Sequence, residues 1–352
     1  MTPFADPLTA IFEEQELSAH FSTAAALTDF TAVEWAIAEA GEAFGAVSPA
    51  ARRAFEASLT GFSPDIGAMR AASVRDGLSV PEFVAQLKAA AGDGAPAVHV
   101  HSTSQDVMDT ATAMALSRCN AEIELRLAAV TEQLVDLAAE FGEARLMGRT
   151  RMQAALPVRA RQRIVAWALP LARQRDRFGA VREGVECVSL GGAVGDRAGW
   201  GAEADAVAAH MASRLGLHAA PVWHTARDGV LTYGGWLATT SAALGKIGTD
   251  VSLMALQGID EMKVAGGGGS SAMPHKANPV AAEALTTLAQ YQAGLSASLV
   301  ASGVHEMERS GVSWMLERMV LPQMVLATGR GLALAHMLLQ QVERIGAAGE
   351  GS

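Results

Sequence analysis

From Gly266 to Pro279 the chain reads Gly-Gly-Gly-Gly-Ser-Ser-Ala-Met-Pro-His-Lys-Ala-Asn-Pro, so four glycines precede two hydroxyls, Ser270 and Ser271, and a cation, Lys276. Glycine admits backbone conformations that other residues avoid, at an entropic cost that a merely structural loop has little reason to carry. The stretch therefore predicts a lid. Behind it Asn278 suits a helix cap and Pro279 a first helical position, which sets Lys276 just outside a partly positive helix N-terminus and points to an anionic guest. No Gly-Lys-Ser/Thr and no Gly-x-Gly-x-x-Gly after a strand is present, so neither phosphate-loop pattern applies. A flexible Gly/Ser linker is the structural alternative.

Two more segments concentrate polar chemistry. His99-Val100-His101-Ser102-Thr103-Ser104-Gln105-Asp106 offers imidazoles, hydroxyls, an amide and a carboxylate in one run. Its structural reading is a helix start, with Thr103 or Ser104 as cap and Asp106 favourable beside the dipole. The His-Val-His pair would suit a divalent metal on a strand, as in a metal hydrolase, but its helical surroundings offer neither a strand nor a third ligand. Gly148 to Pro157 sets Arg149, Arg151 and Gln153 immediately before a helix, and guanidinium forks bind carboxylates at two points. A solvated basic loop accounts for the same residues. The runs holding Arg227, from Trp223 to Asp228, and Arg309, from His305 to Ser310, are explained by helix caps and surface ion pairs.

The elements that must position these residues are helical. Short patterns from Leu8 to Gly94, broken at Gly61–Asp65 and Val80-Pro81, predict a small first domain over 1–105, with Asp29 capping a helix from Phe30 to Ala40. Residues 106–345 predict a long bundle of five helices carrying the lid at 266–279, and 346–352 a frayed tail. In the first long helix Ile123, Leu127, Val130, Leu134 and Leu137 form a heptad seam that ends near Phe141-Gly142. A connecting segment over Arg145–Pro157 leads to an arginine-studded helix over Val158–Glu183. From Ala226 to Gln257 Val230, Leu237, Leu244 and Val251 recur at seven-residue spacing among small residues Gly234, Gly235, Gly245 and Gly248 that permit close helix approach. Helices from Pro279 to His305 and from Trp314 to Ile345, kinked at Pro322, complete an all-α chain.

The 352 residues, 50% hydrophobic, can bury a large core, and the formal charge of -10 disfavours nucleic acid or an anionic membrane as a partner. Cys119 and Cys187 are too few for a disulfide framework, and the start lacks a signal-peptide pattern, so a cytoplasmic protein is expected. The uncharged run from Ala284 to Val304 carries too many hydroxyls and amides for a membrane span.

Taken together, these motifs resemble the fumarase/aspartase superfamily. Its signature Gly-Ser-Ser-x-Met-Pro-x-Lys-x-Asn-Pro is matched without a gap from Gly269 to Pro279, and its His-x-x-x-Thr-Ser-x-Asp segment by His99, Thr103, Ser104 and Asp106. Its Gly-Arg-Thr-His-x-Gln-x-Ala-x-Pro segment is matched from Gly148 to Pro157 except at the histidine, which is Arg151 here. The resemblance implies a homotetramer whose active sites draw three segments from three subunits around a central bundle, and a C-terminal third domain that is largely absent here. It implies Ser270 as proton carrier supported by Lys276, His99 as a further catalytic residue, and Thr103, Ser104, Arg149, Arg151, Gln153, Ser271, Asn278, Glu283, Arg227 and Arg309 around a small polycarboxylate, with no cofactor or metal. Many members pair the histidine at position 151 with the glutamate matched by Glu283. This chain cannot, and Arg151 either pairs with Glu283 itself or meets a substrate carboxylate; the chain looks more like the bacterial 3-carboxy-cis,cis-muconate cycloisomerase branch of aromatic degradation. Other superfamily lyases, such as adenylosuccinate lyase, and a non-catalytic structural protein are the alternatives.

Overall fold

A computed structural model describes residues 4–269 and 278–346. Five helices open the chain: α1 (Gln15–Ala19), α2 (Thr23–Ala43), α3 (Pro49–Leu59), α4 (Ile66–Asp76) and α5 (Val80–Ala91). The long α6 (Ser104–Phe141) leads into a hairpin of β1 (Arg145–Thr150) and β2 (Gln153–Arg159), then α7 (Ala160–Glu183) and α8 (Ala204–Leu215). After α9 (Asp228–Met254) and β3 (Met262–Val264) come α10 (Val280–Ala301), α11 (Gly311–Gln340) and β4 (Val342–Ile345), which pairs antiparallel with β3.

The five long helices α6, α7, α9, α10 and α11 form an all-α bundle in which α6 packs on α7, α7 on α9, α9 on α10, α10 on α11 and α11 back on α6. The periodicity explains why. Ile123, Leu127, Val130 and Leu134 of α6, with Leu237 and Val251 of α9, have no exposed surface, and burial of each such side chain stabilises the fold by roughly 1.5–3 kcal/mol. A second apolar core gathers α2, α3 and α5, but it also takes Val188, Leu190, Trp200 and the α8 residues Val207, Ala208 and Met211. Leu17, near the N-terminus, joins the bundle core instead. No described helix is long and apolar enough to cross a membrane.

Several local expectations are corrected. Helix α2 begins at Thr23, where the Ser22 hydroxyl accepts the Ala25 N–H, and Asp29 lies buried in mid-helix, bound through both oxygens to Arg118 at 3.1 and 2.6 Å. Residues 145–157 are a hairpin, because the chain can pair with itself across a two-residue turn between Thr150 and Gln153. Helix α10 begins at Val280 with no side-chain cap, since Pro279 at the N-cap has no side-chain acceptor and Asn278 lies one residue earlier, bridged to Gly268. Helix α11 continues through Pro322 and ends at Gln340; the β-branched Val342 and Ile345 pair with Lys263's strand. In the tail Gly346 donates its N–H to the Glu261 carbonyl at 2.9 Å.

Small residues bring α9 and α10 together. A Cβ at Gly248 would overlap the Ala282 carbonyl oxygen and one at Gly245 the Ala289 side chain, whereas Gly235 faces open space. A backbone carbonyl cannot rotate away. Gly248→Ala is therefore expected to be net destabilising by about 1–3 kcal/mol, overpacking outweighing the gain of about 1 kcal/mol in helix propensity, and a lower urea midpoint at unchanged slope is the measurement.

Candidate active site

The start of α6 is organised by one carboxylate. Asp106 has no exposed surface; its Oδ2 accepts the N–H groups of Thr103 and Gly192, each at 3.0 Å, and its Oδ1 accepts Gly191 N–H at 2.6 Å and contacts His224 Nε2 at 2.7 Å. An acidic residue three positions into a helix answers the unpaired amides of its first turn, so the helix start read from the sequence is also the anchor of a distant glycine loop. Gly191 allows this closeness, because a Cβ there would overlap the His224 ring. The neighbouring Gln105 donates its amide to the His224 carbonyl at 2.8 Å and accepts Arg309 Nε at 3.0 Å, while Arg309 Nη2 reaches the carbonyls of Gly192 and Ala193 at 3.3 and 3.2 Å. Arg309 is thus fastened over the loop that Asp106 holds.

Arg227 lies deeper than a surface ion pair. Its guanidinium bonds Asp109 Oδ2 at 2.8 Å and Glu317 Oε2 at 2.9 Å, and it stacks 4.5 Å from the centre of the Trp223 ring. Only 1% of the side chain is exposed, and its fork is committed to the two carboxylates. Burial disfavours its charge, but those carboxylates outweigh burial and hold its pKa above the ordinary arginine value. Glu317 is raised, chiefly by burial, with the Asp109 charge adding to it against the Arg227 hydrogen bond. His224 is likewise buried. The surface explanation of this run therefore fails, and Arg227 stands as a support beneath the α6 start.

His99 stands apart from this network. Its Nδ1 lies 2.6 Å from Glu34 Oε1 and its backbone N–H donates to Glu34 Oε2 at 2.7 Å. Glu34, on α2, is fully buried and was not foreseen. The signal was there: a glutamate inside Val33-Glu34-Trp35-Ala36-Ile37 has to be paired if that apolar run is core. His99 and His101 both have left-handed backbone, φ 61° and 48°, and the His101 ring meets the edge of Trp200 at 5.2 Å. The two rings go to different partners, so the strand geometry that a His-Val-His metal pair needs is not formed. Among the described residues no three His, Cys, Asp or Glu side chains converge on a metal position. Thr103 and Ser104 are half-buried at the N-cap and first residue of α6.

The hairpin and the lid's root form a second cluster. Arg151 and Met152 occupy the two-residue turn, both left-handed at φ 49° and 66°, where such turns favour Asn and Gly. Gln153 pairs with Thr150 at the base of the turn. Glu261, one residue before β3, accepts Met147 N–H at 2.9 Å, Arg149 Nη1 at 2.8 Å and Arg163 Nη1 at 3.3 Å. Burial opposes its charge, but the hydrogen bonds from Arg149, Met147 and Arg163 win and set its pKa below the ordinary glutamate value. Above the clamp opens a cleft of about 610 Å³ lined in part by Arg149, Arg151, Arg163, Lys246 and Glu261. The lid's ends are tied by reciprocal hydrogen bonds of 2.9 Å between the backbones of Gly268 and Asn278. Glu283 is exposed in the first turn of α10, and among the described residues no ion pair joins it to Arg151. Ser270, Ser271 and Lys276 lie outside the described residues.

The structure thus brings Arg149 and the hairpin beside Glu261 and β3, and Arg309 to the start of α6 with Thr103 and Ser104, while His99, just upstream, is held by Glu34. Among the described residues no hydrogen bond links the two clusters. Residues 3–293 match the lyase family. The chain belongs to the fumarase/aspartase superfamily. It is 35% identical, over 95% of its length and 74% of the relative's, to a 3-carboxy-cis,cis-muconate cycloisomerase of Pseudomonas aeruginosa. It is 33% identical to a nitrosuccinate lyase of Streptomyces davaonensis over 92% of this chain and 71% of that one. Among solved structures, the 3-carboxy-cis,cis-muconate lactonizing enzyme of Pseudomonas putida superposes with a TM-score of 0.87 at 31% identity, covering 95% of this chain and 76% of that one. As a superfamily member the chain is an enzyme of the lyase or cycloisomerase type.

Two outcomes follow for this member of the superfamily. Arg227→Met leaves Asp109 and Glu317 facing each other without their cation, and a loss of about 3–5 kcal/mol is expected in urea unfolding. A glutamate with a depressed folded pKa contributes stability that is present above its unfolded value, about 4.3, and is lost as the pH falls through the lower folded value. The Glu261 clamp should therefore hold at neutral pH and release only below that range. Protection of the Met147 amide, its exchange measured against the intrinsic rate at each pH, should fall there in the native protein, and should already be reduced at pH 7 in Glu261→Ala.

Proposed function

We propose that this enzyme is a 3-carboxy-cis,cis-muconate cycloisomerase, acting without a cofactor in the β-ketoadipate route of aromatic degradation in the cytoplasm. The observation that carries the reading is Arg151. It stands at the tip of the hairpin where many superfamily members place a catalytic histidine, and similarity to cycloisomerases over 95% of the chain supports the same branch.

In the proposed reaction a carboxylate oxygen of the substrate bonds to an alkene carbon, the electron pair of the double bond moves to the adjacent carbon, and that carbanion is delocalised into its own carboxylate. Protonation of the carbanion completes 4-carboxymuconolactone. Nothing is oxidised or reduced, and one proton is taken up from solvent per turnover. Ser270 delivers that proton and is left as an alkoxide, which Lys276 and the partly positive end of α10 would stabilise until it is reprotonated. On this reading His99, Thr103, Ser104, Arg149, Arg151, Gln153, Ser271, Asn278, Glu283 and Arg309 surround the substrate, with the arginines meeting its carboxylates. Arg227 belongs to the site through its support of the α6 start.

The site is assembled in a homotetramer on this reading. Its support is that no hydrogen bond among the described residues joins the two clusters within one chain, together with exposed apolar side chains on the bundle, among them Leu125, Val135, Val165, Leu169, Val300 and Met319.

Purified protein should consume 3-carboxy-cis,cis-muconate in an ultraviolet assay, unaffected by chelators, and elute as a tetramer by light scattering. Ser270→Ala should keep the tetramer and lose at least about 10²-fold in turnover, the low end for a proton-transfer group. Turnover of adenylosuccinate or a nitro-substituted succinate in place of the muconate would transfer the chain to another lyase branch. Near-native activity in the serine variant would remove Ser270 from the mechanism.

A further inference from the structure

We infer that Glu34 is a positioning residue for His99: it keeps a proton on Nδ1 and leaves Nε2 as the nitrogen that meets the substrate. The inference rests on the reading of His99 as a site residue and adds to it the partner that sets its chemistry.

The geometry is unusually committed. Glu34 has no exposed surface, and among the described residues both of its oxygens go to a single residue, one to the His99 ring at 2.6 Å and the other to the His99 backbone N–H at 2.7 Å. A contact of 2.6 Å between a nitrogen and a carboxylate oxygen requires a proton between them. An ionised carboxylate only accepts, so that proton belongs to Nδ1. With Nδ1 taken, the ring's remaining polar atom is Nε2, which has no described hydrogen-bond partner on a side chain that is 18% exposed. The second bond fixes the backbone. His99 is held at φ 61°, a left-handed conformation that residues with a Cβ resist, and the Glu34 oxygen on its N–H holds the backbone there.

One buried side chain therefore sets the backbone, the ring plane and the tautomer of His99. It does so from α2, 65 residues earlier in the chain, so the first helical unit contributes to the site without touching the substrate. A histidine whose second nitrogen is pinned by a carboxylate is oriented for proton exchange or hydrogen bonding through the first. Ring nitrogens left to solvent would populate both tautomers and several ring orientations.

Ring-nitrogen NMR on the full-length protein labelled with 15N-histidine, at pH 8 and with His99 assigned through His99→Gln, reads the tautomer directly. The expected result is a proton on Nδ1 in the wild-type protein and a loss of that preference in Glu34→Gln, a substitution that nearly preserves shape. With 3-carboxy-cis,cis-muconate as substrate, Glu34→Gln should lower kcat by at least about 10-fold while moving KM by less than about 3-fold. The double variant should be no slower than His99→Gln alone, because the two residues act as one unit. A wild-type proton on Nε2 with bare Nδ1, or losses that multiply in the double variant, would overturn the assignment. Full activity in His99→Gln would instead remove His99 from the site, and the nitrogen measurement would still decide what Glu34 does. If Glu34→Gln does not fold, the wild-type tautomer and Glu34→Asp supply the same decision.

Discussion

Asp106 carries a charge with no solvent around it, and a buried carboxylate costs several kcal/mol unless its lone pairs are answered. Here they are answered by Thr103, Gly191, Gly192 and His224, groups from three separate stretches of chain. The requirement to satisfy this one side chain closes the glycine loop onto α6, seats His224 beneath it, and through Gln105 aligns Arg309. The layer below repeats the principle, since Arg227 is tolerable in the core only because Asp109 and Glu317 grip it, and Asp109 also accepts the Trp314 indole N–H at 2.9 Å. The start of α6 is thus tied to its surroundings through Asp106, Gln105 and Asp109.

The second cluster is built on the same physics with a different purpose. Glu261 is clamped by two arginines and a backbone amide, and it sits where the chain turns from α9 toward β3 and the lid. The hairpin and the root of the lid are therefore one mechanical unit. Gly268 and Asn278, at the two ends of the signature stretch, pair with each other through their backbones.

Backbone strain marks the same places. His99, His101, Arg151 and Met152 all adopt left-handed conformations that L-residues with side chains resist. Each is held by something specific: Glu34 for His99, the Trp200 edge for His101, and the ladder between β1 and β2 for the turn. Such backbone persists where the surroundings over-determine it, and it also occurs outside the two clusters, at Phe4, Arg197, Asp260 and Met307.

The seams of α6 and α9, the lid signature and the start of α6 at Thr103 were legible in the sequence, because heptad spacing, capping and a contiguous motif are local patterns that survive without knowledge of the fold. The hairpin was not legible. Arg145 to Pro157 lacks the turn residues that usually announce a two-residue loop, and its strands are stabilised by Glu261, more than a hundred residues away. Arg227 and His224 looked like surface residues because burial of a charge depends on partners, Asp109, Glu317 and Asp106, that only the folded chain brings near. Glu34 is the clearest case. By sequence it is one acidic residue in an apolar helix; its meaning comes from His99, 65 residues on. The sequence by itself determined the helices, their seams and the residue types available for chemistry, since these are set by spacing along one chain. Tertiary structure decided which charges are buried and which nitrogen faces outward, because desolvation and hydrogen-bond geometry depend on what surrounds a group in space.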